Sequence, residues 1–160
     1  MMRASPKIVA WALAASTAVA VPLIASWEGL RTDPYDDLAG IPTVCYGETR
    51  AEMRSYSPAE CEAMLRRAVE GFTREVLACT PGLAERPYQL AAAVSLAYNI
   101  GATNYCGSTA ARRFNAGDIR GGCEAFAMWR LVKGKVSQGL VNRRAAEMEL
   151  CLLGVSHAAA

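Results

Sequence analysis

Histidine occurs once in the 160 residues, at position 157, beside the closing alanines. That scarcity narrows the chemistry. A Ser–His or Cys–His hydrolase and a zinc amidase with histidine ligands are both disfavoured, because each needs an imidazole beside its nucleophile or metal. No metal and no other cofactor is expected. Carboxylates are what remains, and several fall between Glu28 and Glu48. Cleavage of a glycosidic bond needs a protonated acid on the leaving oxygen and a second carboxylate that activates water or attacks. Glu28 follows Trp27 at the end of an apolar stretch, where burial would penalise the charged form and favour a proton donor. On composition alone, a Glu at that place reads first as a boundary charge.

The six cysteines are Cys45, Cys61, Cys79, Cys106, Cys123 and Cys151. None forms a C-x-x-C pair, so a zinc or thioredoxin reading is weak. All lie beyond the apolar N-terminal run, which fits an oxidising compartment. Six cysteines allow about 15 full pairings. Adjacency of elements favours Cys45–Cys61, Cys79–Cys106 and Cys123–Cys151, against the alternative of reduced, buried thiols.

The elements that must position these groups begin with Ile8 to Ala25, a run without a charged residue, preceded by Arg3 and Lys7. It is just long enough to span a bilayer as a helix. Its many alanines, with Ser16, Thr17 and Pro22, make it only weakly apolar, so its drive to insert is modest. The flanking charges predict a cytoplasmic N-terminus and an exported remainder. Of 17 basic residues, 15 remain once Arg3 and Lys7 are set aside, matching 15 acidic ones. A neutral exported part argues against a nucleic-acid partner. The pairs Arg112/Arg113 and Arg143/Arg144 read as solvated helix faces or as saccharide and anion contacts.

From Glu28 to about Tyr56, Gly, Pro, Asp and Thr dominate, and Thr43-Val44-Cys45-Tyr46 alternates; this predicts a small β-hairpin lobe. Ser57-Pro58-Ala59-Glu60 opens a helix with a capping box, running to about Leu77. Thr80 to Arg86 reads as a linker, and Tyr88 to Ile100 as a buried central helix stopped at Gly101. Further helices start at Ser108, after Asp118, and at Leu140, with Gly134 to Gly139 as a turn. The fold class is mainly α, an α+β arrangement in which the small hairpin lobe faces a larger helical lobe across a cleft. The domain limits expected are an apolar helix over 1–26, a catalytic domain over 27–154 and a disordered tail over 155–160. Trp27 and Trp129 are expected in the core.

Glu28-Gly29-Leu30-Arg31, Tyr35-Asp36-Asp37, Gly40, Thr43 and Gly47 resemble the active-site stretch of phage-type lysozymes. That endolysin family carries Glu, eight residues, Asp, five residues, Thr, and Glu28, Asp37 and Thr43 meet the spacing. Ala97-Tyr98-Asn99-Ile100-Gly101, Ser108-Thr109, Asn115-Ala116-Gly117-Asp118, Trp129, and Gly139-Leu140-Val141 through Arg143-Arg144 to Glu147 extend the resemblance over nearly the whole domain. It implies a lysozyme-like fold and an endo-acting muramidase that cuts peptidoglycan between N-acetylmuramic acid and N-acetylglucosamine. Glu28 would be the general acid, Asp37 the base or electrostatic partner, and Thr43 a holder of the attacking water. Asn99 and Arg143 are weaker candidates for substrate contact. Two positions depart from the family: Glu48 stands where many relatives carry histidine, and Cys45 where many carry glycine. A histidine–carboxylate bridge is unavailable there, and a Cys45–Cys61 disulfide could offset its loss by ~3 kcal/mol.

The resemblance extends to family members whose N-terminal signal-anchor is released from the inner membrane. Three fates compete for the N-terminal run: cleavage after a small-residue site such as Ala18-Val19-Ala20, permanent anchoring, or release followed by folding onto the domain. Release is favoured, because cleavage after Ala20 or Ala25 would remove the turns that position Glu28. No cysteine lies in residues 1–26, so disulfide exchange from the anchor cannot hold the enzyme inactive. The expected partners are peptidoglycan, the inner membrane and, functionally, a pinholin or holin; the expected state is a monomer, membrane-tethered and then periplasmic. The competing readings are a lytic transglycosylase, which would not need Asp37 and Thr43, and a non-catalytic wall-binding or membrane-anchored protein.

Overall fold

Ser5, at the first described position, already does structural work: its hydroxyl accepts the N–H of Ile8 and Pro6 follows as the first helical residue. The computed structural model describes residues 5–155. The tail expected over 155–160, with His157, lies outside the described residues apart from Val155. Helix α1 (Pro6–Glu28) is long and apolar enough to cross a membrane, yet it lies against the domain, packed on α2 and α3. Its buried stripe is Ala12, Ser16, Ala20 and Ile24, flanked by Thr17 and Val21. The four-residue spacing puts these side chains one above another on one helix face. The stripe is made mostly of small residues, so the backbone can come close to its neighbours. The one polar group with a partner in it is Ser16, 3.4 Å from the Thr73 hydroxyl. Thr73 donates to the Val69 carbonyl, which makes Ser16 the donor to Thr73. Trp11 and Pro22 are exposed.

Gly29 ends α1 at φ +71°, a left-handed conformation that a side chain would oppose, and its N–H closes on the Ala25 carbonyl. The chain then enters the hairpin of β1 (Arg31–Asp36) and β2 (Pro42–Cys45), antiparallel, with Arg31 opposite Cys45, Tyr35 opposite Thr43 and Asp36 opposite Pro42. This is the small lobe that the turn-rich composition predicts.

Helix α2 (Pro58–Cys79) starts as its sequence dictates. The Ser57 hydroxyl accepts the N–H of Glu60, and the Glu60 carboxylate accepts the N–H of Ser57. The stretch read as a linker tightens into a 3-10 turn, Pro81–Glu85, which buries Leu83 and Ala84. Helix α3 (Pro87–Ile100) is the core axis: every residue from Gln89 to Ala97 is buried, with α1, α2 and α7 packed around it. Helix α4 (Ala102–Cys106) is an addition to the sequence reading, one short turn that buries Tyr105 against the Thr80 hydroxyl. Ser108 and Asp118 cap α5 (Thr109–Asn115) and α6 (Ile119–Glu124). After a 3-10 turn at Ala125–Met128, the expected turn region proves to be a second hairpin, β3 (Leu131–Val132) and β4 (Lys135–Val136). Helix α7 (Gln138–Leu153), capped by Ser137, closes the chain onto α3.

Three disulfides join Cys45 to Cys61, Cys79 to Cys106 and Cys123 to Cys151, the pairing that adjacency favours. The first ties the small lobe to α2. Cys45 sits at φ +58°, a conformation that favours glycine and costs a residue with a side chain roughly 1–2 kcal/mol. Closing a loop of 16 residues contributes about 3 kcal/mol, enough to offset that cost.

Candidate active site

The last turn of α1 delivers Glu28 to the junction of the two lobes, where its side chain is 23% exposed. Its Oε1 accepts from Arg143 Nη1 at 2.8 Å, a partner 115 residues away on α7. Its Oε2 faces Gly47: a Cβ built there would stand 3.7 Å from that oxygen. Gly47 itself lies at φ +85° in a tight turn closed by two hydrogen bonds between Val44 and Glu48, each 2.9 Å. Glycine at this point satisfies the turn and leaves the approach to Glu28 unobstructed.

Arg143 and Arg144 correct the solvated-face reading. Both are buried, together with Glu147, which is 0% exposed. Glu147 Oε1 accepts from Ser95 Oγ at 2.7 Å, Arg143 Nε at 3.2 Å and Arg144 Nη2 at 3.1 Å, and Arg144 Nε lies 2.8 Å from Oε2. Burial pushes the Glu147 carboxyl up and the Arg144 guanidinium down, and their pairing opposes both shifts. Two guanidinium groups and two carboxyl groups, Glu28 included, meet here; groups of this kind are enclosed only where they find partners. Arg143, a candidate for substrate contact by sequence, holds Glu28 through its Nη1. Its Nη2 is enclosed without a hydrogen-bond partner among the described residues. The spacing Arg143–Glu147 and Arg144–Glu147, four and three residues apart on a helix, was the signal for these ion pairs.

Asp37 stands just beyond β1. Its Oδ1 accepts the N–H groups of Ala39 at 2.8 Å and Ile41 at 2.9 Å, which fixes the orientation of the carboxyl. Thr43, buried on β2 opposite Tyr35, donates to the Ile41 carbonyl at 2.8 Å. The hairpin thus links Asp37 and Thr43 through one residue, Ile41, and fixes both relative to β2. Asn99 is exposed near the end of α3. Trp27, expected in the core, is 36% exposed beside Glu28 and stands outside the core cluster; Trp129 packs against the core. Glu48, at the family's histidine position, turns back on its own loop and accepts the N–H of Arg50 at 2.7 Å.

Tyr98, Ser95, Gly47 and Glu147 were not given roles by the sequence. Tyr98 donates to the Tyr46 carbonyl at 2.8 Å and so clamps α3 to the hairpin. Burial, and then the nearby Glu28 carboxylate, push its phenol well above the ordinary range, so it works as a neutral donor. A cleft of about 820 Å³ opens from this point, between the Gly47–Ala51 loop and the facing parts of α2, α3 and α4, with Gly47 and Tyr98 in its wall. The cleft therefore adjoins Glu28. Among the described residues no group of three or more His, Cys, Asp or Glu is arranged to hold a metal ion.

The chain is 37% identical over 132 residues to the SAR-endolysin of Enterobacteria phage P21, covering 79% of this chain and 78% of that one. It is 36% identical over 144 residues to the SAR-endolysin of Pseudomonas phage phiKMV, covering 86% and 89%. Among solved structures it is similar to the endolysin from Escherichia coli O157:H7 phage FAHEc1, with 35% identity, a TM-score of 0.73 and coverage of 83% and 90%. The phage lysozyme family model matches residues 25–147, a span that opens three residues before Glu28 and ends on Glu147. On that match, over most of its length and through the whole of the site, the chain belongs to the phage lysozyme family.

Proposed function

We propose that this protein is a muramidase endolysin that hydrolyses the β-1,4 bond between N-acetylmuramic acid and N-acetylglucosamine in peptidoglycan, with Glu28 as the acid. The observation that carries this reading is the setting of Glu28. One oxygen is held by a buried arginine, and the other faces a glycine at the end of a large cleft. Glu28 would protonate the leaving oxygen, Asp37 would act as base or electrostatic partner, and Thr43 would hold the attacking water. Asn99, on the exposed end of α3, is left for saccharide contact. Mass spectrometry of digested peptidoglycan tests the reaction. The expected fragments carry one added water per cut; anhydro-muramic ends would instead mean a lytic transglycosylase.

The N-terminal helix gives the same protein its restraint. While α1 lies in the inner membrane, Glu28 is held at the membrane surface, away from Gly47, Arg143 and the cleft. Release, for instance when a pinholin depolarises the membrane, lets Ala12, Ser16, Ala20 and Ile24 dock on α2 and α3 and brings Glu28 to Arg143. The released enzyme then works in the periplasm as a monomer. A stripe of two alanines, one serine and one isoleucine suits both states: it is apolar enough for lipid and mostly small enough to pack closely on protein. N-terminal sequencing of the periplasmic protein is expected to find α1 intact. A mature start after Ala20 or Ala25 would rule this release out.

A further inference from the structure

Two guanidinium groups in the cleft wall have no partner. Arg50 lies on the loop after the Glu48 turn and Arg67 on α2; both are exposed, and among the described residues neither side chain makes an ion pair or a hydrogen bond. Their neighbours differ. On α2, Arg66 pairs with Glu62 and Arg74 with Glu70, each with the residue four before it. Arg67 has Ala63 and Gly71 at those spacings. Glu70, three residues after it, pairs with Arg74, and Gly71 leaves the cleft floor open beside Arg67. The backbone of Arg50 is fixed by the Glu48 carboxylate. Glu48 and Glu75 also line the cleft, and the Glu75 carboxylate has no partner among the described residues.

Where the lactyl carboxyl of each muramic acid is tied up in the amide to its peptide, the glycan itself offers such a cleft acetamides and hydroxyls and no free charge. The peptides that branch from its muramic acids offer carboxylates and, at a diamino acid, an ammonium. We infer that this part of the cleft is a subsite for the peptide branch of peptidoglycan, with Arg50 and Arg67 receiving its carboxylates and Glu75 its ammonium. Arginine presents paired N–H donors that match a carboxylate in plane, and a partly enclosed groove screens such contacts less than open solvent. The site lies beside Gly47, so a peptide held there positions its own glycan strand at Glu28. This inference rests on the muramidase reading.

The test compares the parent protein with Arg50→Gln/Arg67→Gln on two substrates: intact sacculi, and glycan strands stripped of peptide by an amidase, with the lactyl carboxyls so freed capped as methylamides to leave the strands uncharged. The expected result is about tenfold lower kcat/KM on sacculi, arising in KM, and a change within about twofold on stripped strands. Arg66→Gln/Arg74→Gln removes the same charge from α2 outside the cleft and is expected to leave both substrates unaffected. Equal losses on both substrates, no loss on sacculi, or the same loss in the Arg66/Arg74 variant would each overturn the peptide subsite. A parent protein that cleaves neither substrate overturns the muramidase reading itself, whereas a parent that cleaves both alike with and without Arg50 and Arg67 overturns only the subsite. Both arginines are exposed, so the variants should melt with the parent.

Discussion

Glu28→Gln is expected to lower wall clearing by about 10²–10⁴-fold while leaving the protein folded, because it removes the transferable proton and little else. The amide oxygen can still accept from Arg143 Nη1, now 2.8 Å from Oε1. The hairpin and its disulfide to Cys61 do not depend on the charge. Turbidity loss of chloroform-treated cells, beside a melting curve, separates the two effects. A clearing rate within twofold of the parent's would remove Glu28 from the chemistry and favour the wall-binding alternative. A collapsed melting temperature would instead assign its role to the fold.

The second large effect concerns Arg143. Arg143→Met keeps the volume and removes the cation between Glu28 and Glu147. Its side chain is 6% exposed, so both carboxylates lose a partner inside the protein and not at its surface. Breaking such a buried pair costs about 3–5 kcal/mol. For a chain of this size that is a fall in melting temperature of roughly 10 °C. Arg144 still pairs with Glu147, which limits the loss. The informative measurement is a cycle with Glu28→Gln. If the Arg143–Glu28 bond is what seats the end of α1, the substitution at 143 should cost less in the Glu28→Gln background, by about 0.5–3 kcal/mol. Strict additivity would mean that α1 is seated by its apolar stripe alone and that Arg143 serves only Glu147.

These expectations share a physical theme. Among the described residues one helix, α1, is long and apolar enough to cross a membrane, and it also carries Glu28; its docked position is specified by a stripe of mostly small side chains and by an ion pair at its end. The Ser16–Thr73 contact and the Glu28–Arg143 bond are both polar, and neither has an equivalent in lipid. They distinguish the docked helix from the inserted one in a way that alanine packing cannot.

What the sequence determined by itself was whatever depends on near neighbours and on inventory. The lone His157 removed imidazole chemistry. Ser57 and Glu60, three apart, specified the start of α2, as Ser108 and Asp118 did for their helices, because caps act within one turn. Each cysteine pairs with its neighbour in the order of cysteines along the chain, so that order sufficed. The spacing of Glu28, Asp37 and Thr43 named the family. Only the tertiary structure decided the environment of Glu28. Arg143 and Arg144 looked like a solvated pair because charges are rarely buried, and the exception needs partners that local sequence does not display: Glu28 from the first helix and Ser95 from the third. Trp27 looked like core for the opposite reason, yet it stands outside the core cluster. Arg50 and Arg67 became a pair only when the hairpin loop folded across α2. Charge burial and cleft walls are properties of several elements meeting, and their free energies exist only once those elements have met.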